Sequence, residues 1–134
     1  MANKLNPYLT FGGNARSAMT FYEGVFGGEL TLQTYAEMNA SQNPDLAEQI
    51  MHGQLIATDG MTLMGADDPE GKNYEASIAI SGEDELVLRG YWDKLADGAT
   101  VLAPFETAPW GDTFGMLTDK FGIRWMVNVV KPTV

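Results

Sequence analysis

Apolar and polar positions along the N-terminal half follow first a strand period and then a helix period. A strand-like run at 5–11 precedes apolar residues at helical spacing, namely Ala15, Ala18, Met19, Tyr22, Val25 and Phe26. The pattern then becomes strand-like again in three runs. It predicts a strand, a helix and three strands, in that order, at 5–11, 15–26, 29–35, 50–58 and 61–66.

Turn-forming residues mark the ends of these elements. Asn14 is typical of a helix N-cap, because its side-chain oxygen can accept a hydrogen bond from a free backbone amide. Gly27 and Gly28 end the predicted helix, and Asp59-Gly60 predicts a tight hairpin turn. The polar segment 37–49 predicts a loop with a short helical turn.

The C-terminal half repeats this order of elements. A strand at 76–81 is followed by a helix at 83–96, whose predicted apolar stripe consists of Val87, Leu88, Tyr91 and Leu95. Acidic residues 83–85 suit the first turn of that helix. Three more strands are predicted at 100–105, 113–118 and 123–130, with Phe121-Gly122 as the turn between the last two.

The two halves are related as a weak internal repeat. The helices can be aligned so that Met19 matches Leu88, Tyr22 matches Tyr91 and Phe26 matches Leu95. The order predicts an α+β fold of tandem βαβββ modules, with eight strands in curved sheets and two main helices. Only a short loop separates the half-modules, which span about 1–70 and 71–134. We therefore expect one domain over 1–134.

Composition limits the classes of function. The 134 residues include no cysteine, which excludes disulfides and thiolate metal sites. With 18 acidic and 8 basic residues the formal charge is −10, so nucleic acid and anionic membrane surfaces should repel the chain. We see no signal peptide and no apolar run of the ~20 residues that span a membrane. The sequence predicts a cytoplasmic protein that handles a small molecule or another protein.

Five segments resemble a known family, in the same order along the chain: 8–16, 21–28, 50–53, 110–112 and 118–128. The sequence resembles the PhnB-like branch of the vicinal oxygen chelate superfamily, also called the glyoxalase/bleomycin-resistance/dioxygenase superfamily. This resemblance covers nearly the whole chain. It implies paired modules whose curved sheet encloses a cavity, usually in a homodimer. The superfamily includes isomerases, dioxygenases, resistance proteins and binding proteins, so it does not fix the function.

Metal-dependent members of the superfamily carry His, Glu or Gln at strand positions that line the cavity. By this resemblance the positions fall near Asn6, Met64, Ser77 and Met126, none of which is a good ligand for a divalent cation. We therefore expect no metal site of the glyoxalase type, and the sequence identifies no particular cofactor. Glu75 is the nearest acidic residue if the register of these positions is shifted by two. A divalent metal held by some other set of residues stays open.

His52 is the single histidine and lies in a predicted strand, on one face with Gln54 and Ile56. It is either a structural histidine bonded to backbone or a general base facing the cavity. The matching family segment also carries this histidine, and Gln54 is an unusual choice for an apolar core.

Trp110 and Asp112 precede a strand in which alternation groups Asp112 with Phe114 and Met116. An aromatic wall with one carboxylate suits a small, partly apolar or cationic ligand. The alternative is an edge loop with a buried Trp110 and with Asp112 closing a turn. On the last strand, the analogy with the metal positions puts Met126 and Asn128 in the cavity and Trp125 in the core. The methionines are either core fillers or the lining of an adaptable pocket.

Two functions follow from these residues. One is a protein that binds a small organic molecule, without the usual metal site, through Gln54, Trp110, Asp112, Phe114, Met126 and Asn128, with His52 as the candidate catalytic residue. The alternative is an active metal-dependent lyase, isomerase or dioxygenase of the same superfamily.

Overall fold

The computed structural model of the protein describes residues 3–130. Within them the elements follow the predicted order of two βαβββ modules, which confirms the fold class. The elements are β1 Tyr8–Phe11, α1 Ala15–Phe26, β2 Glu29–Thr34, a 3₁₀ turn Pro44–Leu46, β3 Ile50–Ile56, β4 Thr62–Asp67, β5 Ser77–Gly82, α2 Glu85–Leu95, β6 Thr100–Thr107, β7 Thr113–Thr118 and β8 Arg124–Val129. In this part of the chain, no helix is long and apolar enough to cross a membrane.

The chain divides into two compact units, residues 1–74 and 75–134. Each unit holds one four-stranded sheet, with the order β1-β4-β3-β2 in the first and β5-β8-β7-β6 in the second. β1 runs parallel to β4 and β5 runs parallel to β8, while the other neighbours are antiparallel. That both units form one domain stays a prediction.

The first unit extends to Tyr74 because the segment after β4 returns to β1. Gly12 N donates to Asn73 Oδ1 at 2.7 Å, and Tyr74 N donates to Thr10 O at 3.3 Å. β1 itself is shorter than the predicted strand at 5–11. Leu5 is fully exposed, and Pro7 has no amide hydrogen to donate to a sheet.

Helix α1 covers one face of the first sheet with the predicted stripe, and all six of its apolar residues are buried. Glycine lets the strands approach this helix closely, since a Cβ at Gly65 would lie 3.0 Å from Met19 Sδ. Gly27 ends the helix as predicted, with a positive φ of 69° and its N–H donating to Glu23 O.

The expectation that the Asn14 side chain caps α1 is wrong. Asn14 occupies the N-cap position but its side chain makes no capping hydrogen bond. Asp67 supplies the acceptor instead, from the end of β4. Its Oδ1 accepts from Gly13 N and Ala15 N, both at 2.9 Å, and its Oδ2 accepts from Ile50 N at 2.9 Å. This carboxylate is 2% exposed and joins three separate segments of the first unit.

Helix α2 differs from its predicted stripe. Leu88 and Leu95 are buried as expected, but Val87 is 44% exposed and Tyr91 is only half-buried. Trp92 takes the central place instead, because its ring stacks on Phe105 with centroids 5.4 Å apart. At the start of the helix, Asp84 accepts a hydrogen bond from Val87 N. One of the predicted acidic residues therefore caps α2.

The β7–β8 hairpin contains a second buried carboxylate, Asp119, which is 4% exposed. Its Oδ1 accepts from Phe121 N at 2.8 Å and from Ile123 N at 3.1 Å. Its Oδ2 accepts from Trp125 Nε1 at 2.8 Å. The carboxylate thus fixes the turn and satisfies the buried indole at the same time.

Candidate functional site

Each sheet has one face covered by its own helix and one face opposite that helix, which we call the open face. In the first unit, Gly53 and Leu55 of β3 face α1, so alternation places His52 and Gln54 on the open face. Cross-strand neighbours then share this face: Gln33 pairs with His52, and Met64 lies between Gln54 and Tyr8. Hydrogen-bonding side chains therefore dominate the middle of this surface.

His52 is held by a contact with Tyr8. The Tyr8 Oη lies 3.2 Å from His52 Nδ1, and the two ring centroids are 5.8 Å apart. Burial raises the pKa of the Tyr8 hydroxyl above its usual value, so this group is a neutral phenol near neutral pH. Either atom can be the donor, depending on the imidazole tautomer. The contact orients the imidazole on the open face of the first sheet.

The open face of the second unit combines apolar groups with amides and hydroxyls. Trp125 and Val127 are buried on the helix side of β8, so Met126 and Asn128 lie on the open face. Asn128 pairs with Phe114, and Met126 pairs with Met116. The prediction that Trp125 packs in the core is confirmed.

Trp110 and Asp112 lie before β7 rather than in it. Trp110 is 70% exposed, so the alternative of a loop with a buried Trp110 is wrong. The turn is closed by backbone groups, with Ala108 N donating to Asp112 O at 2.7 Å and Gly111 N donating to Ala108 O at 2.9 Å.

The structure groups the predicted site residues by unit. His52 and Gln54 share the open face of the first sheet, whereas Phe114, Met126 and Asn128 share that of the second. Sequence reasoning missed Tyr8, the partner of His52, because a strand period does not reveal which parallel strand lies beside β4. It also gave no role to Arg124, although alternation with the buried Trp125 places Arg124 on the open face.

The superfamily's metal positions can be tested by their donor chemistry. Met64 and Met126 present thioethers, and Ser77 presents a neutral hydroxyl; such donors do not fit a hard divalent cation. Arg124 of β8 pairs with Ser77 of β5, so a positive charge lies beside this metal position. Among residues 3–130 no three His, Asp or Glu side chains come together as a metal site. The residues at these positions therefore do not fit the divalent metal ion of the metal-dependent superfamily members.

Comparison with known proteins places the chain in a family. A model of the glyoxalase/bleomycin resistance protein/dioxygenase superfamily matches residues 4–127. The chain belongs to this superfamily. It is 31% identical over 142 residues to Protein YjdN from Escherichia coli (strain K12), covering 95% of both chains.

Solved structures of other proteins share the fold. Protein PA1353 from Pseudomonas aeruginosa is 31% identical with a TM-score of 0.81, over 98% of this chain and 100% of that one. A PhnB protein from Bacillus cereus, called a putative 3-demethylubiquinone-9 3-methyltransferase, is 23% identical with a TM-score of 0.73, over 96% and 100%. This second likeness shows the fold alone.

Proposed function

We propose that the protein binds a small organic molecule on the open faces of its sheets, without the divalent metal of the metal-dependent superfamily members. The observation that carries the proposal is the Tyr8–His52 contact beside Gln54. A phenol, an imidazole and an amide offer donors and acceptors to a ligand. The open face of the second unit, taken by itself, carries Phe114 and Met126, which offer apolar and polarizable contact area.

A second candidate function is acid–base catalysis by His52 without a metal. The observation that favours it is again the 3.2 Å approach of Tyr8 Oη to Nδ1, which orients the imidazole. An oriented imidazole can take or give a proton near neutral pH. The metal-dependent lyase, isomerase or dioxygenase is less well supported, because its ligand positions carry thioethers, an amide and a hydroxyl.

Binding can be tested with phenylnaphthylamine, a neutral aromatic amine whose fluorescence rises in apolar surroundings. We expect saturable binding to the wild-type protein that EDTA leaves unchanged. Each face is tested by its own variant: His52→Ala should weaken binding at the first sheet and Phe114→Ser binding at the second, each about tenfold, or roughly 1.4 kcal/mol. The matched control is Leu86→Ser, since Leu86 is 85% exposed on α2. Loss of binding on metal removal, or equal weakening by Leu86→Ser, would contradict the proposal.

Thermal denaturation of His52→Ala separates a ligand-facing histidine from a structural one. His52 lies half-buried on the open face, so its removal should cost less than about 1 kcal/mol of folding free energy. A structural histidine would cost about 1–3 kcal/mol, because its partner would be left without a hydrogen bond. A large drop in Tm without any change in probe binding would remove His52 from the site.

We also propose a cytoplasmic homodimer with no nucleic-acid or membrane partner. The support for the dimer is the outer strand β6, which leaves Val101 and Leu102 about half exposed, at 48% each. Apolar edge strands are commonly covered by another chain. Light scattering should give twice the chain mass of 14.6 kDa at micromolar concentration, and the monomer mass would contradict the dimer.

A further inference from the structure

The open face of the second sheet is ordered along its strands. One cross-strand row contains Ser77, Arg124 and Thr118, because Arg124 pairs with Ser77 on one side and with Thr118 on the other. The next row contains Ala79, Met126 and Met116. The surface therefore changes from a guanidinium between two hydroxyls to a strip of methionines.

We propose that Arg124, with the hydroxyls of Ser77 and Thr118, binds the oxyanion group of a small amphipathic ligand whose apolar part lies on Met126 and Met116. The inference rests on the proposed binding function and names the chemical class of its ligand. Carboxylates, phosphonates and sulfonates share the required chemistry. Each is a planar or tetrahedral anionic group whose oxygens accept several hydrogen bonds.

The charge environment of Arg124 supports this assignment. Arg124 forms no ion pair with any residue in the described range 3–130, although acidic residues outnumber basic ones 18 to 8. Its guanidinium presents five donors in a fixed fork, which suits bidentate oxyanion binding. Directly opposed residues have Cβ atoms ~5 Å apart, so one hydroxyl lies on either side of the guanidinium stem.

Distances along the strands set the direction and size of the ligand. Arg124 and Asn128 mark two ends of the face, four residues apart at ~3.4 Å per residue, or roughly 14 Å. Phe114, next to Asn128, pairs on its other side with Glu106, whose carboxylate disfavours an anion at that end. The oxyanion therefore binds at the Arg124 end, and an apolar or aromatic body extends toward Phe114.

The test compares two fluorescent probes that differ mainly in charge. Anilinonaphthalene sulfonate carries a sulfonate on an aromatic body, whereas phenylnaphthylamine lacks it. Arg124→Gln should raise the Kd of the sulfonate at least tenfold and leave that of the neutral probe unchanged. Thr118→Val, which removes one hydroxyl at nearly constant volume, should raise the Kd of the sulfonate about threefold. Carboxylate and phosphonate analogues of the same aromatic body then show which oxyanion is preferred.

Arg16→Gln is the matched control, because Arg16 is an exposed arginine on α1 in the other unit. If Arg16→Gln raises the Kd of the sulfonate as much as Arg124→Gln does, only net charge matters and the inference fails. An unchanged sulfonate Kd in Arg124→Gln also overturns the inference, while the proposed function stands if the neutral probe still requires Phe114. If neither probe binds the folded wild-type protein, both proposals fail.

Discussion

The β3–β4 and β7–β8 hairpins have the same turn but present different side chains. In the first, Ala57 N donates to Met61 O and Gly60 N donates to Ala57 O. In the second, Asp119 N donates to Ile123 O and Gly122 N donates to Asp119 O. Gly60 and Gly122 even share nearly the same φ, 91° and 90°.

Aligned on this turn, the two open faces correspond position by position. His52 matches Phe114, Gln54 matches Met116, and Met64 matches Met126. Tyr8, the strand neighbour of Met64, matches Ala79, the strand neighbour of Met126. At these matched positions the repeat therefore preserves the backbone, while the first unit offers mainly hydrogen-bonding side chains and the second offers apolar ones.

The largest expected effect concerns Asp119, which stands where the first hairpin has Ala57. Asp119→Ala should cost about 3 kcal/mol of unfolding free energy, because two backbone amides and the Trp125 indole lose a buried acceptor. Urea denaturation measures this loss. The backbone turn should persist, since Ala57 already occupies the same position in the other unit.

Asp97→Ala is the control for this variant. The Asp97 side chain is 79% exposed and lies 3.8 Å from Lys120 Nζ, so its removal should change stability by less than about 0.5 kcal/mol. Equal losses in the two variants would show that the buried hydrogen bonds of Asp119 contribute nothing specific.

A smaller difference in stability is expected when the matching glycines Gly115 and Gly53 are each replaced by alanine. A Cβ at Gly115 would lie 2.8 Å from Trp92 Cζ3 and 2.9 Å from Phe105 Cα, which a stacked ring and a backbone atom cannot easily relieve. A Cβ at Gly53 would meet Leu32 Cδ2 at 3.0 Å, and this flexible side chain can move. We expect Gly115→Ala to cost about 2 kcal/mol and Gly53→Ala less than about 1 kcal/mol, by thermal denaturation. The opposite order would contradict this packing difference.

The smallest effect involves Tyr35 in the first unit. Its hydroxyl donates to the Asp67 carbonyl at 2.7 Å. Burial, followed by the negative charges of Asp67 and Asp68, raises the pKa of Tyr35 above its ordinary value. Tyr35→Phe should therefore cost about 1 kcal/mol at pH ~8, where the phenol is protonated in both states.

The difference between wild type and Tyr35→Phe should shrink as the pH rises. The unfolded chain releases the Tyr35 proton first, from about pH 10, so the stability contributed by the protonated hydroxyl is lost as the pH passes through the raised folded pKa. Urea denaturation at pH ~8 and ~10.5 measures this. A difference that grows with pH would contradict the raised pKa. Tyr74→Phe, at a tyrosine that is 56% exposed, is the control at pH ~8.

Local patterns predicted the elements better than the contacts between them. The α1 stripe and both hairpin turns follow from short-range spacing, and the structure has them as predicted. Asn14 satisfied the local rule for an N-cap, yet Asp67 takes this role from more than fifty residues away. Such a contact depends on strand register, which one sequence does not reveal. The same reason hid the Tyr8–His52 pair.

The positions of the two buried carboxylates along the chain have a consequence for the order of folding. Asp119 binds groups two to six residues away, so its network needs only a short loop to close. Asp67 binds Gly13 and Ala15 across most of the first unit, which costs more chain entropy before any hydrogen bond forms. We expect early protection of the Phe121 and Ile123 amides and late protection of Gly13 and Ala15 in pulsed hydrogen exchange during refolding. Simultaneous protection would mean that the local turn forms only when the whole chain folds.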